Sequence, residues 1–344
     1  MRQVLNTLYV MTEGSYVRLE RETLVVMLKK EKRLQVPLHH LGSIVCMGQI
    51  SMSPALMARN VKDGRTVVWL NQYGRFQARI EGNISGNILL RQAQFRSADD
   101  KLITLNLAKA YIAGKLRNSR QVLLRSARDS NDKDDKNTLK KAAKSLAINL
   151  RNLKFSSSLE SVRGLEGDAA HVYFSQFNQM IKPQYRHNFL YTKRSRRPPK
   201  DAINALISFL YALLLNDCRS ALETVGLDSQ LGFLHTVRSG RQALALDLLE
   251  EFRACLGDRL ALTLINRGQI RLKDFDYKKG GSVLLNDKGK KTLLIAYQER
   301  KKTTLKHPLF NQEIEIGLLP LTQARLLARF LRKDIDAYIP YLQK

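Results

Sequence analysis

The stretch GNISGNIL, residues 82–89, separates two kinds of sequence and decides the fold class. Before it, residues 1–83 hold short β-branched and aromatic runs divided by turn signals such as Asp63-Gly64, a pattern typical of β-strands. After it, helical periodicity holds almost to the C-terminus, beginning with KLITLNLAKAYIAGKLRN at residues 101–118. The sequence therefore predicts an α+β protein with a small β-sandwich-like domain at 1–83 and a larger, mainly α-helical domain at 84–344.

Local patterns predict individual elements within the two domains. A short helix is expected from Ser53, because a serine N-cap followed by Pro54 suits both residues at a helix start. Residues 126–138 carry almost no apolar side chain and are expected to form a solvated loop. Residues 283–297 are expected to form a late β-hairpin that turns near 286–289. Six runs are predicted strands: VLNTLYV, YVRLE, TLVVML, SIVCM, TVVWL and RFQARI.

The charge of the chain points to a polyanionic partner. The 344 residues include 58 Lys and Arg against 31 Asp and Glu, which gives a net charge of +27. The excess is not confined to a tail, since residues 1–83 already hold 12 Lys and Arg against 6 acids. Nucleic acid is the commonest partner of such a surface, and anionic membrane headgroups are the rival.

Membrane insertion is not expected. The longest apolar run, ALISFLYALLL at residues 205–215, is about half the roughly 20 residues of a spanning helix and is predicted to be a buried core helix. The N-terminus lacks a signal-peptide pattern, so we expect a cytoplasmic protein. Cys46, Cys218 and Cys255 form no CxxC pair and are expected to be buried apolar residues.

Two separate segments hold residues that could bind a metal ion. In RGLEGDAAHVYFSQF, Glu166 lies between two glycines at the expected start of an amphipathic helix, where an acid also simply stabilises the positive helix end. In GLDSQLGFLHTVRSGR, His235 follows an apolar run and precedes a turn, although a lone histidine is more often a structural residue.

A third segment, LALDLLEEFR at 244–253, places its acids on one narrow helix face. Asp247, Glu250 and Glu251 lie opposite a broad apolar face, and only Glu250 has a basic neighbour at helical spacing, Arg253. Such acids are often solvated surface. Together, however, an imidazole and carboxylates from the three segments are ligands suited to Mg²⁺ or Mn²⁺. In a basic protein, a divalent ion indicates phosphate chemistry, so the acids are expected to be collected for a cation.

A dense basic cluster lies between these segments, in YTKRSRRPPKDAINALISFLYALLL. Pro198 and Pro199 stiffen it, and Asp201 is expected to cap the following helix. The alternative is an ordinary solvated loop, but a rigid array suits contact with phosphates. The residues expected to contact nucleic acid are Arg163, Lys193, Arg194, Arg196, Arg197, Lys200, Arg238 and Arg241.

Several other chemistries lack a motif. The chain contains no GxxxxGK[ST], GxSxG or HExxH pattern, so an ATP-hydrolysing P-loop, a serine-hydrolase elbow and a zincin site are not indicated. If the protein cuts or joins nucleic acid, the energy must come from the phosphodiester itself.

Four motifs in this order carry a family resemblance: RGLEGDAAHVYF, RSRRPPKDAINALISFLYALL, VGLDSQLGFLH and GRQALALDLLEEFR. With them the chain closely resembles the CRISPR-associated spacer integrase family, over nearly its whole length. The resemblance implies a metal-dependent DNA endonuclease and integrase with an N-terminal β domain, for dimerisation and DNA contact, and a helical catalytic domain. It also implies a homodimer that acts with a small partner protein on double-stranded DNA, both spacer precursor and CRISPR repeat.

The resemblance assigns roles to four residues. The metal ligands fall on Glu166, His235 and Glu250, and Asp247 resembles the family's supporting acid at the catalytic site. The implied reaction is a transesterification in which a 3′-hydroxyl attacks a phosphodiester at the edge of the repeat. Two alternatives remain open: a metal-dependent nuclease or branched-DNA resolvase without integration, and a non-catalytic architectural DNA-binding protein.

Overall fold

The protein is described from a computed structural model that covers residues 6–72, 74, 76–82 and 88–343. These residues form two compact units. The first unit contains the described residues up to 82 together with 298–303 and 315–318, and the second contains the remainder. The boundary predicted between residues 83 and 84 lies outside the described residues.

The first unit contains eight β-strands within its described residues, arranged in two four-stranded sheets. Their bounds are Thr7–Val10 (β1), Tyr16–Glu20 (β2), Thr23–Leu28 (β3), Glu31–Pro37 (β4), Ser43–Met47 (β5), Ser51–Met52 (β6), Thr66–Leu70 (β7) and Phe76–Ile80 (β8). One sheet has the order β1-β5-β7-β8, with β8 antiparallel to β7 and the other pairs parallel. The other has the order β4-β3-β2-β6 and is antiparallel except for the β2–β6 pair.

Both sheets contribute to a single apolar core. Val17 and Leu24 come from one sheet, Ile44 and Val67 from the other, and all four side chains are fully buried. This arrangement confirms the sandwich-like prediction. The described parts of the six predicted strands are confirmed. Two strands were missed: the two-residue β6, which is too short to show a pattern, and β4, whose Glu, Lys and Arg side chains are exposed at a sheet edge, where alternation of polar and apolar residues is not required.

One helix, Pro54–Lys62 (α1), follows the second sheet. As predicted, Ser53 is its N-cap: the Ser53 hydroxyl accepts from the Leu56 N–H, and Pro54 occupies the first helical position.

The second part of the chain is mainly helical. Its helices are Ile88–Asp99 (α2), Lys101–Asp129 (α3), Lys133–Asn152 (α4), Leu159–Ser175 (α5), Pro183–Arg186 (α6), Ala202–Thr224 (α7), Ala243–Glu250 (α8), Arg259–Asn266 (α9), Asp287–Lys302 (α10) and Leu319–Leu331 (α11). A π-helical stretch, Arg253–Asp258, joins α8 to α9. Short antiparallel pairs are formed by Phe275–Tyr277 (β9) with Val283–Leu285 (β10), and by Thr304–Lys306 (β11) with Glu313–Glu315 (β12). Single 3₁₀ turns lie at Leu38–His40, Leu153–Phe155, Asn178–Met180, Leu272–Asp274 and Ile316–Leu318.

Two long helices organise the helical core. Helix α3 packs against α4, α5 and α8, and α7 packs against α8 and α11. By length and composition α7 could cross a membrane, but most of its side chains are buried inside the protein, which confirms the prediction of a core helix. Asp201 caps α7 as predicted, since its carboxylate accepts from the Asn204 N–H. All three cysteines are free and buried.

The prediction of a solvated loop at 126–138 is wrong. Helix α3 continues to Asp129 and α4 begins at Lys133, so only a three-residue connection remains. Asp132 caps α4 by accepting from the N–H groups of Asp134 and Asp135. Polar residues at helix ends satisfy backbone donors, and charged ones interact favourably with the helix dipole. A lack of apolar residues therefore does not exclude a helix there.

The late hairpin at 283–297 is also wrong. Only Val283–Leu285 is a strand, and it pairs with the preceding β9 rather than with a later segment. Asn286 then accepts from the Gly289 N–H, and α10 begins at Asp287. Leu293, Leu294 and Tyr297 are buried at helical spacing. Burial of this one face favours a helix over a strand in this segment.

Candidate active site

The first acid of the site, Glu166, lies inside a helix rather than at its start. Helix α5 begins at Leu159, where the Ser158 hydroxyl accepts from the Ser161 N–H and Ser161 reciprocates. The prediction of a first-turn glutamate is therefore wrong. Gly164, one of the two glycines that flank Glu166, does not interrupt the helix, and its Cβ position is open. Glu166 therefore does not serve to stabilise the positive end of the helix.

The turn that carries His235 is built around one buried carboxylate, that of Asp247 on α8. Asp247 Oδ2 accepts from the N–H groups of Phe233, at 2.6 Å, and Leu234, at 3.0 Å. Its Oδ1 accepts from the His235 N–H at 2.9 Å. Gly232 permits this approach, because a Cβ there would lie 2.7 Å from Asp247 Oδ2. The acid thus fixes the backbone of the turn.

Asp247 also fixes the imidazole ring. His235 Nδ1 lies 2.7 Å from Asp247 Oδ1. Because a carboxylate only accepts, Nδ1 carries the proton and Nε2 keeps a free lone pair. Nε2 faces Glu250 and lies 3.8 Å from its Oε1. This is the arrangement in which a carboxylate orients a histidine that binds a metal through its other nitrogen.

Glu166 and Glu250 are joined by a lysine that the sequence reasoning missed. Lys115 Nζ, from α3, contacts Glu166 Oε1 and lies 2.8 Å from Glu250 Oε2. Its side chain is only 14% exposed. No pattern in the sequence distinguishes Lys115, because α3 carries several other basic residues, among them Lys109 and Arg117.

Glu250 is the most enclosed ligand candidate, with a side chain that is 6% exposed. Burial by itself raises the pKa of this carboxyl, but the positive charges of Arg253 and Lys115 outweigh it and lower the pKa to about 2. Arg253 Nε donates to Glu250 Oε1 at 3.1 Å, as the helical spacing predicted. The Arg253 guanidinium also lies over the Tyr211 ring, 4.6 Å from its centroid. Glu250 is therefore ionised at neutral pH.

The three acids of the segment 244–253 do not share one environment, so the expectation that they are all collected for a cation is wrong for Glu251. Asp247, Glu250 and Glu251 are all buried. Glu251 belongs to a different environment, where Tyr338 Oη donates to its Oε1 and the Tyr341 N–H donates to its Oε2 at 2.7 Å. Burial raises the pKa of Glu251 to about 8 despite these bonds. The helix is packed on all sides, so periodicity alone could not separate these roles.

The predicted nucleic-acid residues lie in several environments. Arg194 is partly buried, where it donates to Asn204 Oδ1 at 2.7 Å and lies over the Tyr211 ring. Arg163 donates to the Leu234 carbonyl at 2.6 Å and so ties α5 to the His235 turn. Arg241 is half-buried. The remaining residues are exposed: Lys193, Arg196, Arg197, Lys200 and Arg238.

The site has the donors for a divalent ion, although they are not collected around one point. Across the described ranges, no three His, Cys, Asp or Glu side chains stand close enough together to hold a metal. The Lys115 ammonium contacts both carboxylates instead. Glu250 Oε2 is buried and, among the described residues, meets Lys115 without accepting a well-formed hydrogen bond. An imidazole nitrogen and two carboxylates, one of which includes this oxygen, fit Mg²⁺ or Mn²⁺.

Comparison with known proteins identifies the family. The family model described as CRISPR associated protein Cas1 matches residues 8–299. The chain belongs to the Cas1 family. It is 50% identical over 344 residues to a CRISPR-associated endonuclease Cas1 from Moorella thermoacetica, with 100% of each chain covered. The resemblance stated from the sequence is thereby confirmed, and so is its assignment of the chain to a family of endonucleases.

Two solved structures share the fold. A casposase bound to integration product superposes with a TM-score of 0.82 and 21% identity, covering 97% of this chain and 92% of that one. A Cas6-RT-Cas1–Cas2 complex superposes with a TM-score of 0.81 and 22% identity, covering 99% of this chain and 36% of that one. The Cas1 fold therefore extends over nearly the whole chain.

Proposed function

We propose that this Cas1-family protein is a divalent-metal-dependent DNA endonuclease and integrase of CRISPR adaptation. It would insert short foreign DNA fragments as spacers at the repeat. The observation that carries the proposal is that Glu166 on α5 and Glu250 on α8 contact the same lysine, Lys115, while His235 Nε2 lies 3.8 Å from Glu250 Oε1. Binding alone does not require an oriented imidazole beside buried carboxylates.

Each residue has a distinct task in this proposal. Glu166, His235 through Nε2, and Glu250 would hold the ion, and Asp247 would keep the imidazole in the correct tautomer. Mg²⁺ or Mn²⁺ held there would supply polarisation of a phosphoryl oxygen and orientation of the attacking hydroxyl. Arg253 would hold Glu250 ionised and in place.

The reaction would be a direct transesterification. The 3′-oxygen of the incoming fragment forms a new bond to phosphorus, and the bond from phosphorus to the repeat's own 3′-oxygen breaks. No protein atom becomes covalently linked to DNA. With water as the attacking group, the same site would act as a nuclease.

The partners are proposed from charge and from the titles of similar structures. The net charge of +27 favours double-stranded DNA, and the exposed members of the basic segment 193–200 would contact phosphates. One structure of this fold is bound to integration product, and another is in a complex with Cas2. We propose that the protein forms a homodimer through its N-terminal β-rich region, which also contacts DNA. We further propose that it acts with a small partner protein, in the cytoplasm rather than on a membrane.

A strand-transfer assay tests this function. The substrates are a supercoiled plasmid that contains the repeat and a short duplex with free 3′-hydroxyls, in Mg²⁺ or Mn²⁺. Joined products support integration, whereas cleavage without joining favours the nuclease or resolvase alternative. Glu166→Ala, His235→Ala and Glu250→Ala should each abolish the reaction and retain salt-sensitive DNA binding. Full activity in any of these variants removes that residue from the site, and inactivity of the unaltered protein with retained binding favours an architectural role.

A further inference from the structure

Lys115 is a cation at the centre of the site that the proposed reaction does not use. It reaches from α3 to two carboxylates on different helices, Glu166 on α5 and Glu250 on α8. Among the described residues, it is the cation that Glu166 contacts. A lysine side chain that is only 14% exposed loses most of its hydration. The cost of desolvating its charge is offset by the two carboxylates.

The two carboxylate oxygens of Glu250 have different partners, and Oε2 is the one that contacts Lys115. Arg253 donates to Oε1, which also lies nearest to His235 Nε2. Oε2 is buried and meets the Lys115 ammonium at 2.8 Å. Arg253 is held in place by the Tyr211 ring, whereas Lys115 is a point charge on a flexible four-carbon stem. Of the two cations, Lys115 is therefore the one that can leave.

We propose that the Lys115 ammonium is a built-in counter-cation that holds Glu166 and Glu250 together in the metal-free protein and competes with the divalent ion. This inference rests on the proposed function, because it concerns the same ligands. The carboxylates would repel each other in a partly desolvated site without a cation, so Lys115 maintains the site until metal arrives. The measured metal affinity is then lowered by the cost of displacing the ammonium.

The competition predicts how metal affinity changes when Lys115 is replaced. Lys115→Met keeps the length of the stem and removes the charge, so it should bind Mn²⁺ about tenfold more tightly than the unaltered protein. Lys115→Arg keeps the charge and can bind carboxylates through two nitrogens, so it should bind Mn²⁺ more weakly. Lys109→Met is the matched control, because Lys109 lies on the same helix and its Nζ donates to the Lys154 carbonyl instead of an acid. The control should match the unaltered protein.

Isothermal titration of the metal-free, full-length proteins with MnCl₂ measures these affinities without reference to activity. Thermal unfolding in EDTA and in Mn²⁺ gives a second readout. Lys115→Met should melt several degrees lower in EDTA and gain more from Mn²⁺ than the unaltered protein does. Mn²⁺ affinity of Lys115→Met equal to or weaker than that of the unaltered protein overturns the inference.

The outcomes separate the inference from the function on which it rests. If the unaltered protein binds Mn²⁺ and Lys115→Met binds it no better, only the counter-cation fails. If the unaltered protein binds no Mn²⁺, the metal site of the proposed function fails, and the inference with it. If Lys115→Met does not fold, Lys115→Arg decides, because binding as tight as in the unaltered protein contradicts the competition.

Discussion

The strongest structural prediction concerns the Asp247 carboxylate and the substitution Asp247→Asn. Each carboxylate oxygen of Asp247 accepts two hydrogen bonds from the turn: Oδ2 from Phe233 N and Leu234 N, and Oδ1 from His235 N and Nδ1. An asparagine amide offers only one acceptor oxygen. With its NH₂ group on the Oδ2 side it loses the bonds from Phe233 N and Leu234 N; on the Oδ1 side it loses the bond from His235 N, and Nδ1 keeps a partner only if the ring proton moves to Nε2.

The cost of Asp247→Asn follows from that count. Hydrogen bonds to a charged group contribute about 1.5–3 kcal/mol each, so the loss of one or two of them should lower the free energy of unfolding by about 1.5–6 kcal/mol. Urea denaturation followed by circular dichroism measures this fall. Asp100→Asn is the control, because the exposed Asp100 caps α3 with two similar bonds and asparagine is an equally good N-cap, so its cost should stay near about 0.5 kcal/mol. If both variants change stability by similar small amounts, the account of the turn is refuted.

Three further predictions concern the surroundings of the site. Gly232→Ala should lower the strand-transfer rate about 100-fold, because its Cβ would displace the carboxylate that orients His235; an unchanged rate would contradict this role. Since the pKa of Glu251 is raised from 4.5 to about 8 on folding, the free energy of unfolding should decrease as the pH rises from about 5 to about 8; Glu251→Gln should remove most of this decrease, as chemical unfolding at several pH values will show. Alanine at the exposed residues Arg196, Arg197 and Lys200 should weaken DNA binding and lower its salt dependence at constant Tm. Alanine at the partly buried Arg194 should instead lower Tm, and filter binding together with thermal unfolding distinguishes the two cases.

The sequence predicted the fold class because its two halves differ in hydrophobic period. The strand β7 and the Ser53 cap of α1 depend on residues that are close together along the chain, so the sequence shows them directly. The prediction for 126–138 was wrong because its polar residues lie at two helix ends, where Asp132 satisfies backbone donors. The prediction for 283–297 was wrong because the burial of one helix face depends on packing partners that are distant in sequence.

The site shows the same division between local and distant information. Its ligand assignment came from motifs; the structure places Glu166 and Glu250 on the same lysine and His235 beside Glu250. Lys115 and the partners of Glu251 were not predicted, because α3 and the C-terminal residues Tyr338 and Tyr341 reach α8 only through tertiary packing. Helical periodicity around residue 250 describes which side chains share a face, but it does not identify what packs against each side of a buried helix.

The most direct test of the central claim is the anomalous diffraction of a crystal of this protein grown or soaked with Mn²⁺. The proposed function predicts one strong anomalous peak at coordination distance, about 2.0–2.3 Å, from Glu166, His235 Nε2 and Glu250. Asp247 should remain bonded to Nδ1 of the same imidazole. No peak at this place, or a peak that lacks any of the three ligands, would contradict the claim.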